Sequence, residues 1–123
     1  MHSKPIGHYS PYQTVPLSDG TFIFISGQVA VDSDGNTIGS NIGEQAVAVF
    51  ENLKAILEAC GGTISDLVKV TIFLRSMADF EAFNTVRNRY FDQHRPASTL
   101  VEVSALAVEG HHVEIEGVAY VRR

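Results

Sequence analysis

The sequence predicts an α+β fold in which two helices pack on one face of a mixed β-sheet. Two segments have apolar residues at helical three- and four-residue intervals, and the segments before, between and after them have strand-like patterns. The 123 residues, 45% of them hydrophobic, can build one core without disulfide or metal support. We therefore expect a single domain over residues 1–123 with the order β-β-α-β-α-β-β.

The first elements are a predicted irregular arm at residues 1–12 and a β-hairpin. The hairpin strands are expected at about residues 13–17 and 21–26, joined by the Ser18-Asp19-Gly20 turn. Residues 32–36 (Asp-Ser-Asp-Gly-Asn) faintly resemble a calcium-binding loop, but the glycine and glutamate that such a loop needs are not at the required positions. We interpret this segment as a second turn.

The first helix is predicted to follow Asn41, which can cap its N-terminus, with Glu44 three residues later. Its end is expected at the Gly61-Gly62 pair, because glycine adopts the left-handed conformation of a helix cap without strain. Since Cys60 lies on the apolar stripe and is the only cysteine, we interpret it as a small buried hydrophobe and exclude an intrachain disulfide. The other members of the stripe are Val47, Val49, Phe50, Leu53, Ile56 and Leu57.

The rest of the chain is predicted as a strand, a helix and two strands. The third strand, at residues 68–75, precedes a helix that follows a Ser76-x-x-Asp79 capping signal and ends near Phe91. After a break, the last strands are expected at about residues 98–106 and 112–122. Because a turn-like segment joins them, we expect these two strands to be neighbours in the sheet.

The charge balance excludes some classes of function. Nine Lys and Arg against fourteen Asp and Glu give a net charge of -5, which argues against a mainly electrostatic binder of nucleic acid or anionic membranes. No apolar run is long enough to span a bilayer and no export signal is recognised, so a cytoplasmic location is expected. The five histidines are scattered, and we expect neither a metal site nor another cofactor.

The predicted sheet has apolar side chains on both faces. Phe22 and Phe24 point opposite to Ile23 and Ile25 on the same strand. Two helices cover only one face, and a small protein rarely exposes a large apolar patch, so the uncovered face is expected to meet another subunit. We therefore predict a homo-oligomer.

Carboxylates recur on the last two strands. Glu114 and Glu116 share one face of their strand, and Glu102 shares a face with Ser98 in the strand expected beside it. A half-buried glutamate with a raised pKa could act as a general base, whereas an ordinary solvated strand face would carry the same residues. The pattern alone leaves both interpretations open.

Several short segments, taken in order and spacing, resemble the Rid (YjgF) family over nearly the whole chain. The resemblance implies a chorismate-mutase-like α+β fold, a homotrimer whose sheets form a central barrel, and a small-molecule cleft between each pair of subunits. Members similar to the founding type hydrolyse reactive imines and enamines to keto acids and ammonia without a cofactor. The segments are IGHYS at 6–10, ISGQV at 25–29, ENLKAILEA at 51–59 with Gly61, VKVTIFL at 68–74, DF at 79–80 with Asn84, PA at 96–97, VEV at 101–103 and VEIE at 113–116.

The same resemblance implies roles for individual residues. Glu116 would be the catalytic acid that positions water, and the ring of Tyr9 would line the pocket beside it. The residues expected to contact the substrate are Ser26, Asn84, Ser98 and Thr99.

The chain departs from the family just before the VEV strand. The imine deaminases have Pro-Ala-Arg-Ser there, and that arginine clamps the substrate carboxylate, whereas this chain has Pro96-Ala97-Ser98-Thr99. Serine cannot replace the planar, bidentate fork of arginine. We therefore expect a substrate other than a 2-imino acid, and leave open whether an arginine from elsewhere, Arg87 or Arg89, enters the cleft.

Three functions follow as alternatives. The chain could be a cofactor-independent hydrolase that acts on a different imine or enamine. It could instead be a non-catalytic trimer that binds a metabolite or a regulatory partner in the same cleft. The ribonuclease activity attached to some family names fits poorly with the acidic balance and the absence of a basic-aromatic stripe.

Overall fold

The computed structural model describes residues 3–123, which form one five-stranded mixed sheet with two α-helices on one face. The α+β class and the predicted order of elements are confirmed. Residues 1 and 2 of the predicted arm lie outside the described residues. The elements are β1 (Tyr12–Pro16), β2 (Gly20–Gln28), α1 (Ile42–Ala59), β3 (Leu67–Leu74), α2 (Phe80–Tyr90), β4 (Ala97–Glu102) and β5 (Val113–Arg122), with short 3₁₀ turns at Ile64–Asp66 and Met77–Asp79.

Strand β2 is central to the site because it is paired on both edges and is irregular at one end. It forms the predicted antiparallel hairpin with β1 and pairs antiparallel with β5 on its other edge. Between Ile25 and Gln28 its register with β5 shifts, so Ser26 and Gly27 lie in a β-bulge. A bulge bends the strand and redirects the side chains next to it.

The ends of α1 agree with the sequence prediction. The side chain of Asn41 accepts a hydrogen bond from the backbone N–H of Glu44 at 2.9 Å, and Gly61 follows the helix with φ +80°. The Glu44 carboxylate accepts from the backbone N–H of Ser40 at 2.9 Å. Cys60 is half-buried rather than buried, because it is the C-terminal capping residue and lies at the edge of the core.

The capping signal before the second helix acts one element earlier than predicted. The Ser76 hydroxyl accepts from the backbone N–H of Ala78 at 3.2 Å and so begins the 3₁₀ turn at Met77–Asp79. Asp79, the residue before α2, makes no side-chain capping bond. The helix then ends one residue before Phe91, as expected.

The prediction that the two last strands are neighbours is wrong. β4 pairs in parallel with β3, with Val70 opposite Ser98, and β3 separates β4 from the antiparallel β5. The physical reason is the crossover: α2 returns the chain to the end where β3 began, so the next strand lies parallel beside it. β4 also ends at Glu102 rather than residue 106, where the backbone N–H of Val103 donates to Leu74 at 2.8 Å.

The core lies between the sheet and the two helices. Ile23, Ile72 and Ile115 from three strands are fully buried there against Leu53 of α1 and Phe83 of α2. The opposite face of the sheet, here called the open face, has no helix of residues 3–123 packed on it. By alternation and register its side chains include Phe22, Phe24, Lys69, Thr71, Phe73, Thr99, Glu114, Glu116, Val118 and Tyr120. The predicted apolar second face is thus present, with two glutamates in it.

Candidate functional site

A cleft of about 310 Å³ opens on the open face where β2, β5 and β3 meet. We call it the open-face cleft. It contains two of the residues predicted from the sequence, Ser26 and Glu116. Its lining is completed by Gln13, Phe24, Ile25, Lys69, Thr71, Gly117 and Val118.

Ser26 is held by the N-terminal arm. Its hydroxyl donates to the backbone carbonyl of Ser10 at 2.7 Å, and its backbone N–H donates to the carbonyl of Pro11 at 3.0 Å. A serine hydroxyl has one proton, so in this arrangement Ser26 can offer a ligand only its lone pairs. The residue is therefore suited to accept a hydrogen bond from a substrate N–H or O–H.

The half-buried acid of the open face is Glu114, two residues from the predicted one. Burial raises the pKa of the Glu114 carboxyl above its ordinary value, and the nearby Glu116 carboxylate raises it further. Glu116 itself is exposed and lies opposite Thr71 in the ladder. Between the two candidates, Glu114 has the environment of a general base.

Gly27 makes room for the Glu114 carboxylate. A Cβ atom at position 27 would collide with Oε2 of Glu114, so any other residue in this bulge would displace the acid. The sequence shows Ser-Gly-Gln as a motif but not this contact, because the bulge shifts the register between β2 and β5. A glycine one residue beyond the predicted strand end was the available signal, since glycine in a strand often permits a close approach.

Tyr9 lies at the same end of the sheet. The residue is 44% exposed and its hydroxyl accepts from the backbone N–H of Ile6 at 3.4 Å. It borders a small cavity that Gly27 and Gln28 also line. The structure therefore brings Tyr9, Ser26 and the two glutamates to one region around the β2 bulge.

The remaining predicted residues lie elsewhere. Asn84 and Ser98 border a second depression of about 570 Å³ between α2 and β4, which we call the α2–β4 depression. Ser98 faces the helices because it is in register with the buried Val70. Thr99 points to the other face of the sheet, where its hydroxyl accepts from the Lys69 ammonium at 2.8 Å. The α2–β4 depression is completed by Arg87, Asn88, Phe91, Asp92, Arg95 and Pro96.

Arg87 is a residue of this depression whose position could not be derived from the sequence. Its Nε and Nη2 atoms donate to the Asn84 side-chain oxygen at 2.9 and 2.5 Å. Asn84 thus serves to fix an arginine and is not an isolated polar group on the helix. The three-residue spacing between them was the one signal for this contact.

No group of three or more His, Cys, Asp or Glu side chains within residues 3–123 is arranged to hold a metal ion. The segment that resembled a calcium loop is a turn, in which the Asp32 carboxylate accepts from the backbone N–H groups of Asp34 and Asn36, each at 2.9 Å. The adjacent histidines diverge: His111 is buried beside Thr37, whereas His112 lies 3.8 Å from Asp79.

Comparison with known proteins shows which family the chain resembles. The family model described as Endoribonuclease L-PSP matches residues 1–121. A RutC family protein of Pyrococcus abyssi is 42% identical over 118 residues, covering 95% of this chain and 89% of its own length. The human 2-iminobutanoate/2-iminopropanoate deaminase is 36% identical over 118 residues, covering 95% and 85% respectively.

The same similarity extends to solved structures. The crystal structure of a putative endoribonuclease from Thermotoga maritima superposes with a TM-score of 0.85 at 41% identity, over 99% of this chain and 92% of its own. Within the described range, no helix has both the length and the apolar character needed to cross a membrane.

Proposed function

Since the chain belongs to the endoribonuclease L-PSP family, also called the Rid family, we propose that it hydrolyses a reactive imine or enamine to a carbonyl compound and ammonia without a cofactor. The observation that carries this proposal is the half-buried Glu114 carboxyl, whose pKa is raised and for which Gly27 leaves space. The human relative that is named as an imine deaminase supports the reaction class.

Glu114 can relay protons between water and the substrate nitrogen. The water oxygen bonds to the imine carbon while the Glu114 carboxylate takes one water proton and passes it to nitrogen. The hydroxyl proton of the resulting carbinolamine follows the same route. The C–N bond then breaks, the C=O bond forms and ammonia leaves. A carboxyl whose pKa lies closer to neutrality is better suited to accept and return these protons.

Glu116 and Tyr9 complete the catalytic set that we propose. Glu116 lines the open-face cleft, and its negative charge is one cause of the raised pKa of Glu114. Tyr9 lines the same small cavity as Gly27 and can limit the access of bulk water to the acid. Ser26 would accept a hydrogen bond from the substrate nitrogen.

We further propose that the complete site forms between subunits of a homotrimer. The open-face cleft and the α2–β4 depression open on opposite sides of the sheet, so one chain cannot bring the residues of both to one substrate. Apolar side chains of the open face, such as Phe24 at 47% exposure, also favour burial by another copy. Light scattering is expected to give a trimer mass, and a monomer would contradict the inter-subunit site.

Ser98 restricts the class of substrate that we propose. It provides no positive charge where the imine deaminases have their arginine, so we expect a substrate other than a 2-imino acid. The hydroxyl of Thr99 is already engaged by Lys69 and lies on the other face. Of the two residues, Ser98 is better placed to contact a substrate in the α2–β4 depression.

The test is release of ammonia from a neutral ketimine generated in situ. The Glu114→Gln variant should lose activity by about 100-fold or more, because general acid–base groups contribute factors of that order. Glu58→Gln, which removes an exposed carboxylate on α1, is the matched control and should retain full activity. Equal rates in Glu114→Gln and the wild type would remove Glu114 from the mechanism.

The alternative is a non-catalytic trimer that binds a metabolite or a regulatory partner in the same cleft. The observation that favours it is the uncharged Ser98 at the anchor position. In that case, ammonia release would stay at the background rate for every imine tried, while a small molecule would still bind.

A further inference from the structure

The α2–β4 depression contains a half-buried cation that has no acidic partner. Within residues 3–123 the single ion pair joins His112 to Asp79, so Arg87 takes part in none. Burial lowers the pKa of the Arg87 guanidinium, which means that its environment disfavours the charge. Removing a charge from water without pairing it is costly, and an anion bound beside it would offset that cost.

The Arg87 side chain is held in one position before any ligand arrives. Nε and Nη2 donate to the Asn84 side chain, and the guanidinium lies 5.9 Å from the Phe80 ring centre and 5.7 Å from that of Phe83. These contacts reduce the rotamer entropy that a flexible arginine would lose on binding. They also keep the guanidinium against α2.

The unused part of the guanidinium has the geometry of a carboxylate site. Of its five N–H groups, the two bonds to Asn84 leave three, and these include both on Nη1 and one on Nη2. The two terminal nitrogens can therefore form the paired hydrogen bonds by which arginine binds a carboxylate.

The surroundings of Arg87 suit a small anion with a short carbon chain. The charged side chains of the depression are Arg87, Arg95 and Asp92, which leave a net charge of +1 on a protein whose total is -5. Phe91 and Pro96, both buried, supply apolar surface between the charged groups. The ligand class is therefore a carboxylate attached to an apolar segment.

We propose that the α2–β4 depression binds the carboxylate of the substrate through Arg87, with Arg95 as a second cation. Because Arg87 is fixed on the helix side, the carboxylate lies over α2 and not over Ser98. The substrate is then an imine whose carboxylate is separated from the C=N carbon by several bonds. The imine part of this statement rests on the proposed function, whereas the anion site does not.

Binding of unreactive keto compounds to the whole protein tests the site without requiring turnover. The probes are 4-oxopentanoate, with a remote carboxylate, 2-oxobutanoate, with an adjacent one, pentan-2-one, with none, and inorganic phosphate. Calorimetric titration should show that 4-oxopentanoate binds at least about tenfold more tightly than each of the other three, the difference expected of one charge-assisted pair. Equal affinity for pentan-2-one would overturn the anion site.

Variants on α2 assign the effect to one side chain. Arg87→Gln should weaken the binding of 4-oxopentanoate about tenfold or more. Arg87→Lys should weaken it nearly as much, because lysine keeps the charge but not the forked pair of N–H donors. Arg89→Gln removes the same charge from an exposed position on the same helix and should change nothing. Equal losses of 4-oxopentanoate affinity in Arg87→Gln and Arg89→Gln would show that the effect comes from net charge alone and would overturn the proposal.

A measurement on the unmodified protein covers the case in which Arg87 variants do not fold. The side-chain amide signals of Asn84 should shift in nuclear magnetic resonance spectra as 4-oxopentanoate is added, because Asn84 contacts the binding guanidinium. Signals that stay unchanged at saturation would overturn the site. Tighter binding of phosphate than of 4-oxopentanoate would overturn the carboxylate assignment.

The two proposals fail in different ways. If no imine is hydrolysed but binding depends on Arg87, the proposed reaction is wrong and the anion site remains. If a neutral ketimine is hydrolysed through Glu114 but binding is independent of Arg87, the anion site is wrong and the reaction remains.

Discussion

The open-face cleft and the α2–β4 depression differ both in charge and in how their side chains are held. Beside the cleft, Glu114 is positioned by strand pairing and by the absence of a side chain at Gly27. In the depression, Arg87 is positioned by hydrogen bonds from its own side chain to Asn84 on the same helix. The position of a side chain that is set by strand pairing changes only if the sheet changes. A side chain that is held by another side chain on a helix surface can be replaced without a change in the fold. The difference suggests that, among proteins of this fold, the reaction and the choice of substrate can vary independently.

The largest expected effect comes from filling the space that Gly27 leaves for the Glu114 carboxylate. Gly27→Ala places a Cβ against the Glu114 carboxylate, so hydrolysis of a neutral ketimine should fall by about 100-fold. The free energy of unfolding should change little, because the atoms that the new Cβ meets are the far end of the flexible Glu114 side chain and can move aside. Gly43→Ala, a glycine in the first turn of α1 with space around it, is the control and should be fully active. Full activity in both variants would show that the carboxylate need not be where the structure has it.

An arginine placed in the depression should change substrate choice without changing the reaction. The wild-type protein is not expected to deaminate 2-iminobutanoate, generated by threonine dehydratase, faster than the background. Ser98→Arg should raise that rate at least about tenfold, since it restores a bidentate clamp for the adjacent carboxylate. Ser104→Arg adds the same charge at an exposed position and should have no effect. Rapid turnover by the wild type would mean that another group already anchors this carboxylate.

Removing Glu116, the acid that lines the cleft, should shift the pH profile of hydrolysis more than it changes the maximal rate. The negative charge of Glu116 raises the pKa of Glu114, so Glu116→Gln should move the acid limb of the hydrolysis profile to lower pH. The plateau rate should remain within a fewfold of the wild type. Loss of all activity would instead identify Glu116 as the base, as the family resemblance first implied.

The smallest expected effect is on stability. Because the pKa of Glu114 is raised in the folded protein, its contribution to stability is present below the unfolded pKa and is lost as pH rises through the folded one. Glu114→Gln carries no charge to desolvate, so thermal unfolding at neutral pH should occur at a slightly higher temperature than in the wild type. Below pH 4 the difference should vanish. A less stable variant at neutral pH would show that the ionised carboxylate has a stabilising partner.

Local chemistry explains what could be predicted from the sequence. Asn41 and Gly61 act on backbone groups within a few residues, and so the ends of α1 were predictable. The place of β4 depends on a long-range crossover, which no short pattern encodes. The choice between Glu114 and Glu116 was open for a related reason. Two residues on one strand face have the same periodicity, and only the bulge in β2, a neighbour in space, distinguishes their burial.

The contact between Gly27 and Glu114 also has a consequence for sequence variation among relatives. The two positions share one small volume, although they are 87 positions apart along the chain. A side chain at position 27 can therefore be accommodated only with a shorter residue at position 114 or with the Glu114 carboxylate turned away from the bulge. Natural variants with a larger residue at 27 should therefore have either a shorter residue at 114 or a glutamate that no longer occupies the place seen here.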